Sequence, residues 1–170
     1  MRYRLWPFSA CAAIMVLAGV LFLSLRVVIL QVENLDRQRL VRIRLGSSGR
    51  FSLSYIHSMY DAPVIEELEI LGDKIFLVGV RTKSPAVMEY YGFETVGELR
   101  PLRRELGEIR LRVSMGGAQR LSWGGGDFSL AALGASGDLI VIRTRSLPLG
   151  QFLIEGLWDK GGASESQRGR

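Results

Sequence analysis

The chain opens on an unbroken apolar stretch and then changes period. Leu5 to Leu25 is a run of 21 residues without a charge. As a helix it spans about 31 Å, close to the thickness of a hydrocarbon core. From Leu40 onward, apolar and polar residues alternate with a period near two, as in half-buried strands. The pattern predicts strands over Leu40–Leu45, Arg50–Ser58, Pro63–Leu71, Lys74–Lys83, Glu108–Ser114, Gln119–Trp123, Phe128–Leu133 and Asp138–Ser146. Turn residues separate them, including Gly46-Ser47-Ser48-Gly49, Gly72-Asp73, Gly116-Gly117 and Gly124-Gly125-Gly126-Asp127. About eight short strands with tight turns predict a mainly β fold, an antiparallel β-sandwich or barrel, behind one amino-terminal transmembrane helix.

The remaining segments divide the chain. Val27 to Val32 is β-branched and reads as a helix extension or a short strand; Glu33 to Arg39 is polar and reads as a linker. The expected organisation is an anchor over 1–30, a juxtamembrane linker over 31–39, a β domain over 40–158 and a disordered tail over 159–170. Thr95 to Glu105 reads as a short helix or a loop, and Gln151 to Trp158 as a last strand or edge segment.

The apolar run reads as an uncleaved anchor that meets membrane lipid through residues 5–25. Tyr3 and Trp6 stand where aromatic rings favour the interface, and Pro7 falls in the first turn. A cleaved signal peptide needs small residues after the apolar run, and Leu23-Ser24-Leu25-Arg26-Val27-Val28 offers no such site. Cys11 follows too little apolar sequence to be a lipoprotein cysteine. Ser9, Ala12, Ala13 and Gly19 put small residues partly on one helix face, which suits packing against another span but is also common in any membrane helix.

Composition removes several function classes. One Cys and one His in 170 residues leave no internal disulfide, no cysteine-based zinc site and no multi-histidine site. No metal or cofactor is therefore expected. The net charge of +5 owes much to Arg2, Arg4 and Arg26, since the first 30 residues hold no acid. The rest is nearly neutral, which argues against nucleic acid as a partner. Arginines flank the apolar run on both sides, and a plain count places the carboxyl side in the cytoplasm. A folded exported domain overrides distal charges, so charge alone leaves the orientation open.

The most informative segment is a hairpin. In Phe51 to His57, Phe51, Leu53, Tyr55 and His57 point one way and Ser52, Ser54 and Ile56 the other. A loop of Met59-Tyr60-Asp61-Ala62 sets His57 against Val64, Tyr55 against Glu66, Leu53 against Leu68 and Phe51 against Ile70. The Gly72-Asp73 turn then sets Glu66 against Gly79 and Val64 against Arg81. Tyr55, His57, Glu66 and Arg81 would thus gather at one end of an apolar sheet face, with Gly79 leaving space. The cluster is a candidate ligand or partner contact, or a structural polar knot that satisfies itself.

Other chemistry is thin. Ser58 lies beside His57 and near Asp61, but adjacent strand residues face opposite ways, and no Gly-x-Ser-x-Gly elbow exists. No catalytic residue is assigned. Asp61, Glu66, Glu67 and Glu69 lack calcium-loop spacing, and Glu67 and Glu69 read as a solvated face. Three pairs, Arg42/Arg44, Arg110/Arg112 and Arg143/Arg145, each put two guanidiniums on one strand face. On a shared sheet face they would form a basic stripe suited to lipid headgroups or an anionic partner; otherwise they are ordinary solvated positions. Gly124-Gly125-Gly126 lacks the Gly-Lys-Ser/Thr of a phosphate loop and reads as a turn. Met88-Glu89-Tyr90-Tyr91-Gly92-Phe93 reads as a lid over the core or a recognition loop.

Gly49 to Glu67, with its aromatic alternating strand, His57-Ser58, Pro63-Val64 and Glu66, resembles the signature of the family called domain of unknown function 1850. Arg81-Thr-Lys83-Ser84 and Glu89-Tyr-Tyr91-Gly92 are consistent with it, and the resemblance spans roughly residues 40 to 146. The matching signature positions are His57, Ser58, Pro63 and Glu66. The resemblance implies a short membrane-anchored or exported protein encoded beside TRAP transporters of the TAXI class, with no established biochemical role. It favours an extracytoplasmic β domain. The expectation is a non-enzymatic accessory or binding component that meets the transporter's membrane subunit or its solute-binding protein. The alternatives are a free-standing ligand-binding module using Arg81 and Glu66, and an envelope enzyme centred on His57.

Overall fold

The computed structural model describes residues 6–94 and 97–154. The chain is mainly β, with two antiparallel sheets of four and six strands. The described residues form two compact units, one of residues 6–27 with 146–154 and one of residues 28–145.

In the first unit, helix α1 spans Trp6–Ser24, 19 residues. Among the described residues no helix is long and apolar enough to cross a membrane. Four consecutive side chains, Ile14, Met15, Val16 and Leu17, are each 61–72% exposed. Successive residues turn about 100° around a helix axis, so these four sample every side of α1. A second helical segment covers 149–154, where the sequence suggested a strand or edge segment. The expected tail over 159–170, and Tyr3 at the start of the span, lie outside the described residues.

The strands are β1 Arg26–Asn34, β2 Arg39–Ile43, β3 Arg50–His57, β4 Ala62–Leu71, β5 Lys74–Thr82, β6 Gly97–Leu106, β7 Ile109–Arg112, β8 Arg120–Trp123, β9 Gly126–Ser129 and β10 Leu139–Pro148. Sheet order is β2-β1-β10-β7 in the smaller sheet and β6-β5-β4-β3-β8-β9 in the larger. Leu30 and Val32 of β1, Ile140 and Ile142 of β10, and Phe51, Leu53, Val64, Leu68, Ile75 and Val80 of the larger sheet belong to one buried core.

Three segments depart from the expectation; one is the strand expected over Phe128–Leu133, which is β9 Gly126–Ser129 followed by a 3-10 turn over Leu130–Ala132. No linker runs over residues 31–39: Gln31 to Asn34 complete β1, and 35–38 turn into β2. Residues 29–32 of β1 are all buried, so no alternation betrays the strand. Thr95–Glu105 is neither helix nor loop where described, because Gly97–Leu106 forms β6. Its Pro101 cannot donate to a ladder, and β6 accordingly lies at the sheet edge.

The hairpin registers also differ. His57 pairs with Ala62, Tyr55 with Val64, Leu53 with Glu66 and Phe51 with Leu68, two residues from the expected register. The loop is 58–61, and Asp61 takes the left-handed position at φ 47, which Asp tolerates better than most side chains. A slip of two leaves every side chain on its face. The β4–β5 register begins as expected, with Ile70 opposite Ile75 and Leu68 opposite Leu77, and then shifts at a bulge. Beyond it Glu67 pairs with Gly79, Glu66 with Val80, Ile65 with Arg81 and Val64 with Thr82. One extra residue reverses the faces of everything that follows on β5.

Candidate functional site

Glu66 points to the inner face of β4, between Leu53 and Val80, both buried. A carboxylate placed there needs hydrogen-bond donors. Tyr55 supplies one from β3, its hydroxyl donating to Glu66 Oε1 at 3.2 Å. Tyr91 supplies the other, donating to the same oxygen at 2.5 Å. The two hydroxyls lie 3.0 Å apart. Two phenolic hydrogens thus serve three close oxygen–oxygen approaches. Burial foremost, then the nearby Glu66 charge, pushes the Tyr55 and Tyr91 hydroxyls well above the ordinary phenol range.

A short helix brings Tyr91 to this point. Helix α2 spans Pro85–Tyr90, with Pro at its first turn and Ser84 as N-cap, whose side chain accepts from the Val87 N–H at 3.4 Å. Its last turn closes with Gly92 N–H donating to the Glu89 carbonyl and Phe93 N–H to the Met88 carbonyl. Gly92 holds φ 86, a left-handed conformation suited to glycine at a helix end. Val87 and Met88 are buried, and α2 packs on β5. Buried Thr82 ties the base of this cover to the hairpin, donating to the Pro63 carbonyl at 2.7 Å and accepting from the Ser84 N–H.

Next to the triad lies an aromatic rim. The His57 ring centroid is 5.0 Å from that of Tyr60 and 5.4 Å from that of Tyr90. Tyr90 in turn meets Tyr91 edge-on at 5.5 Å. Tyr90 is 65% exposed, so the rim has a solvent side. His57 Nδ1 accepts from the Met59 N–H at 3.4 Å. Ser58 lies in the hairpin loop and is exposed.

Of the four expected contact residues, the structure brings Tyr55 and Glu66 into direct contact. His57 occupies the adjoining rim. Arg81 is not in the cluster. The bulge sends it to the outer face, where Nη2 donates to Glu67 Oε1 at 3.0 Å. A ligand site built from Arg81 together with Glu66 is not formed. Gly79 leaves no space beside Glu66 either, because it faces Glu67 and a Cβ there would press on Leu99. Glu69 joins the outer face and lies 3.6 Å from Arg50. Tyr91 is the member that sequence reasoning did not place. Ser84-Pro85, an N-cap followed by an N1 proline, was the available signal for α2.

No protein-family model matches the chain, and neither the curated proteins nor the solved structures include a match.

Proposed function

We propose that this protein is a single-pass membrane protein whose extracytoplasmic β domain serves as a binding component. Its sandwich-like body would present the aromatic rim of His57, Tyr60 and Tyr90 to a partner. The observation that carries the reading is α1: Ile14, Met15, Val16 and Leu17, spread around one turn, are all apolar and exposed. Such a helix finds apolar surroundings most simply in lipid. The uncharged run from Leu5 to Leu25 extends one residue past each end of the described helix.

The resemblance of the His57-Ser58, Pro63-Val64 and Glu66 segment directs the partner reading to a TRAP transporter of the TAXI class. Its membrane subunit or its solute-binding protein would meet the rim. Rings with an apolar body and a polar edge suit such contacts. Mild-detergent co-purification of the full chain with the transporter membrane subunit tests the association. The expected result is capture that falls in a Tyr90→Ala/His57→Ala variant. Repeated failure to co-purify overturns it. A topology reporter fused after Trp158 tests the orientation, with external activity expected.

A further inference from the structure

Arg42, Arg110, Arg112, Arg143 and Arg145, from the three arginine pairs, share one sheet face. Cross-strand partners face the same way, as do alternate residues of a strand. Arg42 pairs with Gln31. Gln31 Nε2 donates to Glu33 Oε2 at 3.3 Å, and Arg143 Nη2 reaches that same oxygen from β10 at 2.6 Å. Val141, two residues before Arg143, pairs with Arg110, and Leu139 pairs with Arg112. Alternation along β10 adds Arg145, while Arg44 follows directly after β2. The intervening residues Leu30, Val32, Ile140 and Ile142 lie in the core, so the arginines occupy the outer face of the four-stranded sheet. Among the described residues, Glu33 pairs with Arg143 and Glu108 with Arg110 on this face. Arg44, Arg110, Arg112, Arg143 and Arg145 are exposed, while Ile29, Gln31 and Val141 between them are buried.

We infer that this face lies on the phosphates of anionic phospholipids. The inference rests on the anchor reading, because only Leu25 separates α1 from β1 and a lipid-inserted helix would hold the sheet at high local concentration near headgroups. Guanidinium forks match phosphate oxygens, and a basic surface is drawn to an anionic bilayer. Four strands about 4.8 Å apart spread these groups over a broad sheet rather than a cleft, which fits a layer of headgroups better than one small anion.

The test uses the full chain with Leu40→Cys on a Cys11→Ser background. Leu40 faces Glu33 on the same surface and is exposed. A fluorophore at this position is read in vesicles of phosphatidylcholine alone, and of phosphatidylcholine mixed with phosphatidylglycerol. Both contain a headgroup-attached quencher. Quenching is expected to be several-fold stronger in the anionic vesicles, to weaken in high salt, and to be lost in an Arg110→Gln/Arg112→Gln/Arg145→Gln variant. Equal quenching in the two lipids, or quenching that the triple variant keeps, overturns the inference. So does shielding of the label by a soluble acidic protein in place of lipid. Alkaline extraction is read separately: release of the chain defeats the anchor reading, whereas lipid-independent quenching of a retained chain defeats the role of this face.

Discussion

The Tyr91 hydroxyl donates to Glu66 Oε1 across 25 residues of sequence, joining helix α2 to the inner face of β4. Tyr55 donates to the same oxygen from β3. Removing one donor from an inward carboxylate leaves the other overdrawn. Tyr91→Phe is expected to cost about 1–2 kcal/mol, as for a hydrogen bond to a charged group in a half-buried site, and Tyr55→Phe somewhat less. Chemical denaturation of the detergent-solubilised protein measures both. A double-mutant cycle should show coupling between the two substitutions, since they share one acceptor. Strict additivity would mean that the phenols act independently.

The same two phenols predict an alkaline weakness. Their folded-state pKa values lie above the unfolded phenol value of 10.0, so the folded protein holds these protons more tightly than the unfolded chain. The resulting stability is fully present below pH 10 and declines as pH rises through the folded values. Stability should therefore fall above pH 10, and a Tyr55→Phe/Tyr91→Phe variant should fall less steeply. Ultraviolet titration of tyrosinate should lose its latest-ionising amplitude in that variant.

A second polar knot predicts an acid weakness. Buried Asn34 donates through Nδ2 to Asp138 Oδ2 at 2.9 Å and to the Leu133 carbonyl at 3.2 Å, and accepts from the Arg37 N–H at 3.0 Å. The Asn34 amide foremost, then Arg37, holds the Asp138 carboxyl below the usual range. The stability this supplies is present above the unfolded value of 3.8 and lost as pH falls through the folded one. Asp138→Asn should remove part of the slope in an acid denaturation series. Asn34→Ala should cost about 1–3 kcal/mol at neutral pH, because it leaves buried groups unpaired.

Gly134 closes over this knot. An added Cβ would overlap Asn34 Nδ2 and crowd Asp138 Oδ2. Gly134→Ala is expected to destabilise by about 1–3 kcal/mol, the range for overpacking. Gly107→Ala, where a Cβ meets nothing, provides the control. Equal melting shifts in the two variants would remove the steric account.

The anchor reading gives a fifth expectation. Met15 and Val16 fall near the middle of α1. Each arginine placed there costs about 2.5–3.5 kcal/mol of insertion free energy. Met15→Arg/Val16→Arg should move the protein from the alkali-resistant membrane fraction to the supernatant. Unchanged fractionation would argue that α1 does not lie in lipid.

Much of the sheet body was legible because its strands bury one face and wet the other. Phe51 to His57 shows this alternation, which assigns its inward and outward sets but leaves the register two residues open. A pattern of period two carries no information about slips of two; the conformation of Asp61 decides that point. The bulge in β5 was harder. Phe76 to Val80 is continuously apolar, so it hides an extra residue, and only Gly79 within the strand hinted at it. Arg81 was misplaced for that single reason. β1 stayed ambiguous between a helix extension and a short strand, and its end at 31–34 read as linker, because it is buried without alternation; β6 escaped because Pro101 and its charges belong to an edge. Tyr91 reached Glu66 through a tertiary docking of α2 that no local pattern encodes.

In the smaller sheet β10 lies between β1 and β7, so the strand that fills the middle seam is the last one synthesised. The Leu35 N–H finds its acceptor on Leu139, more than a hundred residues later. A nascent chain cannot complete this sheet until its carboxyl-terminal part has emerged, and two strand edges wait open in the meantime. Late closure of this kind leaves the smaller sheet incomplete while the larger one, which does not contain β10, can already pair its strands.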